Sequence, residues 1–266
     1  MRMFAGPNGS GKSTLQSVLP KELLGVYLNP DEIEDEIRRH GLLDLKTYGV
    51  ATTADEVLRF FKSSQFLKSS GYVQAAENLG FADDQLSFAG VAVNSYFASV
   101  AGDYVRQKLL GQRVTFTFET VMSHPSKVAL LEQAQGMGYR TYLDYIATED
   151  PEINISRVRS RVQRGGHAVP EDKIASRYHR SLDLLMAAIR HTNRAYVFDN
   201  SGENQERTWV AEITDGKELE MKSDQMPAWF KRAVMDKIAL APADRSKEGP
   251  AAQTNYRKPI DVSSEN

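Results

Sequence analysis

Short apolar runs alternate with longer amphipathic segments along the first 200 residues. The apolar runs at 1–5, 25–28, 114–118, 140–147 and 195–198 have the length of buried strands, and most contain β-branched or aromatic residues. The amphipathic segments between them predict helices, several of which begin at Pro, Asp or Ser. Strands that alternate with helices are typical of a parallel sheet with helices on both faces. We therefore predict the α/β class.

Two regions depart from this alternation. Residues from about 45 to 112 have mostly helical patterning, which is long for one crossover connection, so we interpret part of it as a helical insertion. Residues 208–221 predict a C-terminal β-hairpin that turns at Asp215 and Gly216, followed by a helix. These patterns divide the chain into a main domain (1–202), a hairpin-and-helix extension (203–240) and a tail (241–266) whose Pro, Ser, Lys and Glu content predicts disorder.

The first apolar run leads directly into a glycine-rich loop of the pattern G-x-x-x-x-G-K-[ST]. Its residues are Gly6, Pro7, Asn8, Gly9, Ser10, Gly11, Lys12, Ser13 and Thr14. In such loops the backbone N–H groups surround phosphate oxygens, the lysine reaches the β- and γ-phosphates, and the first hydroxyl binds Mg²⁺. A helix predicted from Ser13 to about Leu19 would direct its positive end at the same phosphates. The loop, of the kind found in P-loop NTPases, predicts a site for a nucleoside triphosphate and Mg²⁺.

Composition and charge narrow the possible partners. The chain of 266 residues has a net charge of −2, so no overall positive field attracts nucleic acid or anionic lipid. It has no cysteine, which excludes disulfides, thiolate zinc sites and cysteine nucleophiles. No leader precedes the loop and no apolar run is long enough to span a bilayer. We expect a cytoplasmic protein without membrane or nucleic-acid partners.

A phosphate-binding loop by itself leaves motor, switch, transporter ATPase and kinase open, and Asp31 is the first residue that discriminates among them. It follows the second predicted strand, at the sheet edge where ligands of parallel sheets bind. A carboxylate there can accept the proton of a substrate hydroxyl beside the γ-phosphate. Asp31 is alternatively a helix N-cap for the segment that follows, and the two roles are compatible.

Glu119 and Thr120 follow the strand-like segment 114–118 and reach the same sheet edge. The Glu119 carboxylate fits two roles that the residues alone do not separate. It can hold magnesium as a Walker-B-type residue, or it can accept hydrogen bonds from a hydroxylated substrate.

Several arginines crowd one predicted helix after Asp150 and Pro151. On a helix Arg157, Arg161 and Arg164 share one face, where three cations repel unless an anion neutralises them. Phosphoryl transfer needs such positive charge over the transferring group, and the following Gly-Gly pair would allow a lid to deliver it. The alternative is a solvated face that pairs with nearby acidic residues. We favour the lid.

The absence of other motifs favours a kinase among these classes. The chain has no Leu-Ser-Gly-Gly-Gln signature and no apolar run followed by Asp-Glu, which argues against a transporter-type ATPase. It also lacks an Asn-Lys-x-Asp motif for reading guanine, which argues against a GTPase. A small-molecule kinase fits the remaining pattern best.

Taken together, these motifs resemble the zeta toxin family, in particular the bacterial branch often labelled as predicted ABC-type ATPases. The resemblance covers about 1–45 and 113–202. It rests on the following segments: Gly6–Thr14, Asn29-Pro30-Asp31, Phe118-Glu119-Thr120-Val121, Asp150-Pro151 with the arginine helix, Gly165 to Pro170, and Phe198-Asp199-Asn200-Ser201.

The resemblance implies a kinase that uses ATP and Mg²⁺ to phosphorylate a hydroxyl of UDP-N-acetylglucosamine or a related UDP-sugar, often restrained by an antitoxin. By this likeness Lys12 and Ser13 hold ATP and Mg²⁺, and Asp31 is the catalytic base. Glu119 and Thr120 would contact the sugar nucleotide, and the lid arginines would correspond to Arg157, Arg161 and Arg164. Two other hypotheses stay open: a nucleotide-binding regulatory module that acts through a protein partner, and a nucleic-acid 5′-hydroxyl kinase, against which the mild acidity argues.

Overall fold

The computed structural model describes residues 1–166, 168–202 and 207–239, so the predicted tail lies outside the described residues. The strands are β1 (Arg2–Ala5), β2 (Val26–Leu28), β3 (Leu42–Asp44), β4 (Gly80–Ala82), β5 (Gln85–Ser87), β6 (Phe116–Thr120), β7 (Tyr142–Ala147), β8 (Arg194–Asp199), β9 (Thr208–Thr214) and β10 (Glu218–Met221). The helices are α1 (Lys21–Leu24), α2 (Pro30–His40), α3 (Ala54–Ser63), α4 (Gln65–Ser69), α5 (Val73–Ala76), α6 (Ser95–Gly111), α7 (Ser126–Gly136), α8 (Pro151–Gln163), α9 (Glu171–Arg190), α10 (Ala228–Phe230) and α11 (Asp236–Ala239).

A mostly parallel sheet organises the fold and confirms the α/β class. Within the described residues its strand order is β10-β9-β8-β7-β1-β6-β2. The strands β2, β6, β1, β7 and β8 pair in parallel, and β9 and β10 extend the sheet antiparallel beyond β8. The predicted hairpin is therefore present, and it turns at Asp215 and Gly216, both with positive φ. Among the described residues, no helix has the length and apolarity required to cross a bilayer.

The two faces of this sheet are covered unequally. Met3, Phe118 and Tyr145 belong to the large core, which includes buried side chains of α2, α6, α7 and α9. Tyr145 also hydrogen-bonds Ser181 of α9 through its hydroxyl, at 3.0 Å. On the opposite face Phe4 and Ile146 belong to a much smaller cluster, formed with Leu15 and Leu24. The long helices thus support one face, and short segments after the first strand cover the other.

The helix predicted from Ser13 to about Leu19 is wrong. A 3₁₀ helix occupies Lys12–Leu15, turns follow it, and α1 begins only at Lys21. The hydroxyls of Thr14 and Ser17 donate to the carbonyls of Gly11 and Thr14, at 2.8 and 2.9 Å, and so compete with the backbone for the acceptors of a regular helix. The segment therefore gives the phosphate site little of a helix dipole.

The region from 45 to 112 contains strand as well as helix. The antiparallel strands β3, β5 and β4 form a small second sheet, which the helical interpretation missed because each strand has only three residues. Its one local signal is the turn at Asp83 and Asp84, both with positive φ. Gly102 of α6 lies beside Pro30 and Ile33 of α2, so α6 packs against the main core. The division of the chain into parts stays a prediction.

Gly25 tests how closely the chain packs against Thr115 at the start of β2. Its φ of 60° and ψ of −141° suit glycine alone, and a Cβ there would lie 2.1 Å from the carbonyl oxygen of Thr115. We expect Gly25→Ala to lower the free energy of unfolding by about 2–4 kcal/mol, measured by urea denaturation.

Gly41 provides the matched control for this prediction. It also has positive φ, at 67°, but a Cβ there would meet nothing within 4 Å. Gly41→Ala therefore tests conformational strain without a clash and should cost about 1 kcal/mol. Equal losses of stability in the two variants would contradict the close approach at Gly25.

Candidate active site

Glycine is required in the phosphate-binding loop because the loop presses against neighbouring backbone. A Cβ on Gly6 would lie 1.9 Å from the carbonyl oxygen of Ile146 at the end of β7. A Cβ on Gly9 would lie 2.6 Å from the carbonyl oxygen of Asn154 in α8, and Gly9 has a φ of 75°. The loop can therefore lie against both β7 and α8 only because these positions carry no side chain.

Two asparagines hold the loop from outside. The side-chain amide of Asn154 donates to the carbonyl oxygen of Asn8 at 2.6 Å, and that of Asn200 donates to the carbonyl oxygen of Ser10 at 2.8 Å. Arg157 in turn donates to the carbonyl oxygen of Asn200 at 2.7 Å. These bonds engage carbonyl groups of the loop, so they do not compete with a ligand for its N–H groups.

Lys12 points back into its own loop. Its ammonium donates to the carbonyl oxygens of Gly6 and Pro7, at 2.9 and 2.8 Å. Burial lowers the pKa of Lys12 to about 8, although the carboxylates of Glu119 and Asp31 oppose this change. The positive charge of Arg161 also contributes to the lowering, and the pKa of about 8 is the result of all these effects. These three side chains are therefore close enough to act electrostatically on the lysine that would contact phosphate.

Glu119 lies beside the first hydroxyl of the loop. It is buried, with 6% of its surface exposed, and Ser13 donates to its Oε2 at 3.1 Å. Its Oε1 accepts from the hydroxyl of Tyr27 in β2. Burial and the Glu119 charge raise the pKa of Tyr27, which keeps this phenol a proton donor.

Ser13 and Glu119 fit a magnesium ion by their chemistry and their spacing. Mg²⁺ prefers oxygen ligands and is usually held by one or two carboxylates together with substrate phosphates and water. A buried carboxylate 3.1 Å from a serine hydroxyl supplies two such oxygens beside the phosphate loop. Among the described residues, no group of three or more His, Cys, Asp or Glu side chains is arranged to hold a metal ion, so the phosphates would have to complete the coordination.

Asp31 lies in the first turn of α2 and does not cap it. The cap is Asn29, whose side-chain oxygen accepts from the backbone N–H of Asp31 at 3.0 Å, so the capping alternative for Asp31 is wrong. The Asp31 carboxylate is mostly exposed and lies 3.7 Å from the guanidinium of Arg161. Asp31 is thus available to a second substrate at the sheet edge.

The structure separates the three arginines that share a helical face in the sequence. Arg161 approaches Asp31, as just described, and is the one whose guanidinium contacts another predicted site residue. The guanidinium of Arg157 binds the backbone instead, because it donates to the carbonyl oxygens of Asn200 and Gly202. Arg164 is exposed and donates to the carbonyl oxygen of Ser160, one turn back in its own helix. The lid hypothesis therefore stays a prediction, and Arg161 is the one of the three whose charge contributes to lowering the pKa of Lys12.

Thr120 is the last residue of β6. Its hydroxyl oxygen accepts from the backbone N–H of Met122 at 3.0 Å, and this bond leaves the hydroxyl hydrogen available to a ligand. The same loop is fastened to α9, because Ser181 donates to the carbonyl oxygen of Val121 at 2.8 Å. Thr120 is therefore held in place beside Glu119.

Tyr27 and Asn154 are site residues that sequence reasoning missed. Tyr27 pairs with Thr117 across the parallel ladder, on the face that also carries Glu119. The alternation of the two strands is therefore a signal that could have found it. Asn154 contacts Asn8 from 146 residues away in the chain, and no local pattern indicates such a bond.

The fold and the site define a P-loop protein of the α/β class. Residues 87–206 match the family model described as Zeta toxin. The matched region is similar to that family, and the resemblance predicted from the motifs is confirmed. The match differs in extent from the prediction, because it begins inside the predicted insertion, includes α6 and does not include residues 1–45.

Individual relatives are distant or partial. A curated protein of Haemophilus influenzae, described as uncharacterized, is 34% identical over 67 residues, which are 25% of this chain and 48% of that protein. The chain therefore spans about half the length of this relative.

Two solved structures share part of the shape of this chain at low sequence identity. The AvrRxo1-ORF1:-ORF2 complex with ATP has 17% identity and a TM-score of 0.48, covering 83% of this chain and 60% of that one. The PezAT toxin–antitoxin system of Streptococcus pneumoniae has 15% identity and a TM-score of 0.46, covering 86% and 75%.

Asn200→Ala tests whether the outer hydrogen bonds shape the loop for phosphate. Loss of the bond to Ser10 should weaken ATP binding about three- to tenfold, as expected for one net hydrogen bond. The measurement is the dissociation constant for a fluorescent ATP analogue.

Asn193→Ala is the control for this variant. Asn193 is half-buried like Asn200, but it accepts from the backbone N–H of Thr141 at the opposite edge of the sheet. It should leave ATP affinity within about twofold while costing comparable stability. Equal ATP affinities in the two variants would exclude a shaping role for Asn200.

Proposed function

We propose that the protein is an ATP- and Mg²⁺-dependent small-molecule kinase of the zeta toxin type, which phosphorylates a hydroxyl of a UDP-sugar such as UDP-N-acetylglucosamine. One observation carries the proposal. The phosphate-loop residues Lys12 and Ser13 share one sheet edge with a buried carboxylate, Glu119, and with the exposed pair of Asp31 and Arg161. The family match over 87–206 supports the same reading, and the substrate follows from family likeness alone.

The loop binds the donor in this proposal. The triphosphate replaces the Gly6 and Pro7 carbonyls as the partner of the Lys12 ammonium, and the loop N–H groups hold the remaining oxygens. Ser13 and Glu119 would hold Mg²⁺, which supplies charge neutralisation across the β- and γ-phosphates when it is bound.

Asp31 is the proposed base. The acceptor oxygen forms a bond to the γ-phosphorus as the bond from that phosphorus to the bridging oxygen breaks, and ADP leaves. The hydroxyl proton passes to the Asp31 carboxylate. Arg161, 3.7 Å from Asp31, lies where its charge can stabilise the transferring phosphoryl group.

Glu119 and Thr120 are also the proposed contacts for the sugar nucleotide. The bond from Ser13 favours the metal role for Glu119, whereas the family likeness favours the sugar. A carboxylate has about four lone-pair sites, and Tyr27 and Ser13 each occupy one, so both roles are compatible. The Thr120 hydroxyl hydrogen is a further donor for the sugar.

A cognate antitoxin and a cytoplasmic location belong to the same proposal. The support for both is the resemblance to the family matched over 87–206, which implies a UDP-sugar substrate and, in many members, an antitoxin. The net charge of −2 and the absence of cysteine agree with such a location.

The direct test is incubation with ATP, Mg²⁺ and a panel of nucleotide sugars, read by mass for the gain of one phosphate. Asp31→Asn should lower transfer at least about a hundredfold and leave ATP affinity nearly unchanged, because the amide cannot accept the proton. Asp35→Asn is the control, since Asp35 pairs with Arg39 on the same helix. Full activity in Asp31→Asn would refute the assignment of the base.

The three arginines give a graded test of the lid. Arg161→Ala should cause the greatest loss of kcat, about a hundredfold or more, because its guanidinium faces Asp31. Arg164→Ala should change kcat least, since Arg164 is exposed. Arg157→Ala should mainly weaken ATP binding through Asn200. Steady-state kinetics at varied ATP separate these effects, and a kcat loss in Arg164→Ala as great as in Arg161→Ala would contradict the ranking.

A further inference from the structure

The C-terminal hairpin contacts the phosphate-binding loop but takes no part in the proposed mechanism. Strands β9 and β10 form this hairpin, and Arg207 directly precedes β9. Nη1 of Arg207 donates to the hydroxyl oxygen of Thr14 at 2.7 Å. Thr14 is the last residue of the glycine-rich loop and is exposed. The start of the hairpin therefore lies at the point where the loop ends.

Two aromatic rings lie beside Arg207. Phe198 of β8 is opposite Trp209 of β9 in the antiparallel ladder, and the two rings stack with centroids 6.4 Å apart and planes at 28°. The guanidinium carbon of Arg207 is 5.9 Å from the centroid of the Phe198 ring. The guanidinium thus contacts both an aromatic ring and a loop hydroxyl, which fixes where this planar cation lies. We refer to Arg207, Phe198 and Trp209 as the hairpin platform.

The hairpin platform and the loop lie on the same face and at the same edge of the sheet. Phe198 packs against the smaller apolar cluster, which includes Leu15 of the 3₁₀ helix. Strand β8 is parallel to β7, and β7 is parallel to β1, so β8 ends at the edge where β1 becomes the loop. Just beyond β8, the side chain of Asn200 binds the carbonyl oxygen of Ser10, and a Cβ on Gly11 would lie 2.6 Å from its Nδ2. The chain after β8 is therefore in direct contact with the loop.

The strand order indicates which end of a bound triphosphate would face the hairpin platform. In such loops the lysine reaches the β- and γ-phosphates, and the backbone N–H groups surround the α- and β-phosphates. The carboxylates of Glu119 and Asp31 act electrostatically on Lys12, so the γ-phosphate would lie on their side of the loop. Glu119 is on β6, on one side of β1, whereas β8 and β9 lie on the other side. A triphosphate in this orientation extends its nucleoside toward the platform.

We propose that the base of the donor nucleotide stacks on the guanidinium of Arg207, so that the hairpin gives the loop a preference for a nucleotide over an inorganic polyphosphate. The inference rests on the proposed binding of ATP and deepens it by naming the residue that contacts the base. A guanidinium is flat, has a delocalised charge and stacks on aromatic systems, and stacking of this kind adds affinity for any nucleobase. The family match ends at residue 206, so the family likeness assigns Arg207 no role.

Arg207→Lys separates the effect of stacking from the effect of charge. It keeps the positive charge and removes the planar group, so the affinity for ATP with Mg²⁺ should fall about fivefold, while the affinity for inorganic tripolyphosphate with Mg²⁺ stays within about twofold. Arg207→Gln should weaken ATP binding further, about tenfold. Isothermal titration calorimetry measures the binding of both ligands, and the melting temperature of each variant shows that it is folded.

Arg194→Lys is the matched control for the change of side chain. Arg194 is also a partly exposed arginine beside the β8–β9 pair, but it begins β8 and pairs with Glu212, at the opposite end of the strand from the loop. This variant should leave the affinities for ATP and tripolyphosphate within about twofold of wild type. The wild-type protein supplies a measurement that needs no variant, because it should bind ATP about tenfold more tightly than tripolyphosphate.

Equal weakening of ATP and tripolyphosphate binding in Arg207→Lys would overturn the inference, because Arg207 would then act on the phosphates or through Thr14. Unchanged ATP affinity in Arg207→Gln would overturn it as well, as would equal affinities of wild type for the two ligands. These results leave the kinase proposal standing, since phosphate transfer is tested separately with the nucleotide sugars. Conversely, base-dependent binding without transfer to any nucleotide sugar would support the stacking on Arg207 and count against the kinase proposal.

Discussion

The parallel pairing of β1 between β6 and β7 is the constraint on which the site depends. In this register Phe4 is level with Glu119, so the buried carboxylate reaches the sheet edge where β1 becomes the phosphate loop. On the other side of β1, strand β7 extends beyond the end of β1, and the carbonyl oxygen of Ile146 lies against the chain at Gly6. A side chain at Gly6 would force the loop away from β7, and with it Ser13 away from Glu119. The sheet register and the glycine therefore act together to create the 3.1 Å contact that joins the loop to the carboxylate.

Charge is balanced in this site by groups that a ligand can replace. The Lys12 ammonium donates to two neutral carbonyl oxygens of its own loop. The carboxylates of Glu119 and Asp31 also act on it electrostatically. A triphosphate offers Lys12 a stronger partner than a carbonyl, since bonds between charged groups are about twice as strong as neutral ones. The same triphosphate would bring four negative charges close to Glu119, which explains why a magnesium ion at Ser13 fits the chemistry of this pair.

The parts of the site that the sequence predicted are those that depend on strand ends. The sequence predicts Asp31 and Glu119 at one sheet edge because each follows a strand, and strands of a parallel sheet end at one edge. The prediction of a helix after the loop was wrong because the Thr14 and Ser17 hydroxyls bind backbone carbonyls that a regular helix would use. The periodicity of apolar residues carries no information about such bonds. The anchors Asn154 and Asn200 join the loop across 146 and 190 residues, and no local pattern encodes contacts of that range. Helix geometry predicts that Arg157, Arg161 and Arg164 share one face, but the partner of each arginine depends on tertiary packing.

The order of the strands also places two groups of site residues on opposite sides of β1. On the β7 and β8 side, α8 and the chain after β8 supply the groups that hold the loop and the arginine proposed to stabilise the transferring phosphate: Asn154, Asn200, Arg157 and Arg161. On the β6 and β2 side, the chain supplies the groups to which the proposed function assigns the metal and the acceptor: Tyr27, Asp31 and Glu119. Helix α6 packs on this second side through Gly102 and Arg106, and it lies within the matched family region. In the proposed mechanism the groups that hold the donor loop and the base for the acceptor therefore come from opposite sides of β1, an arrangement compatible with in-line phosphoryl transfer.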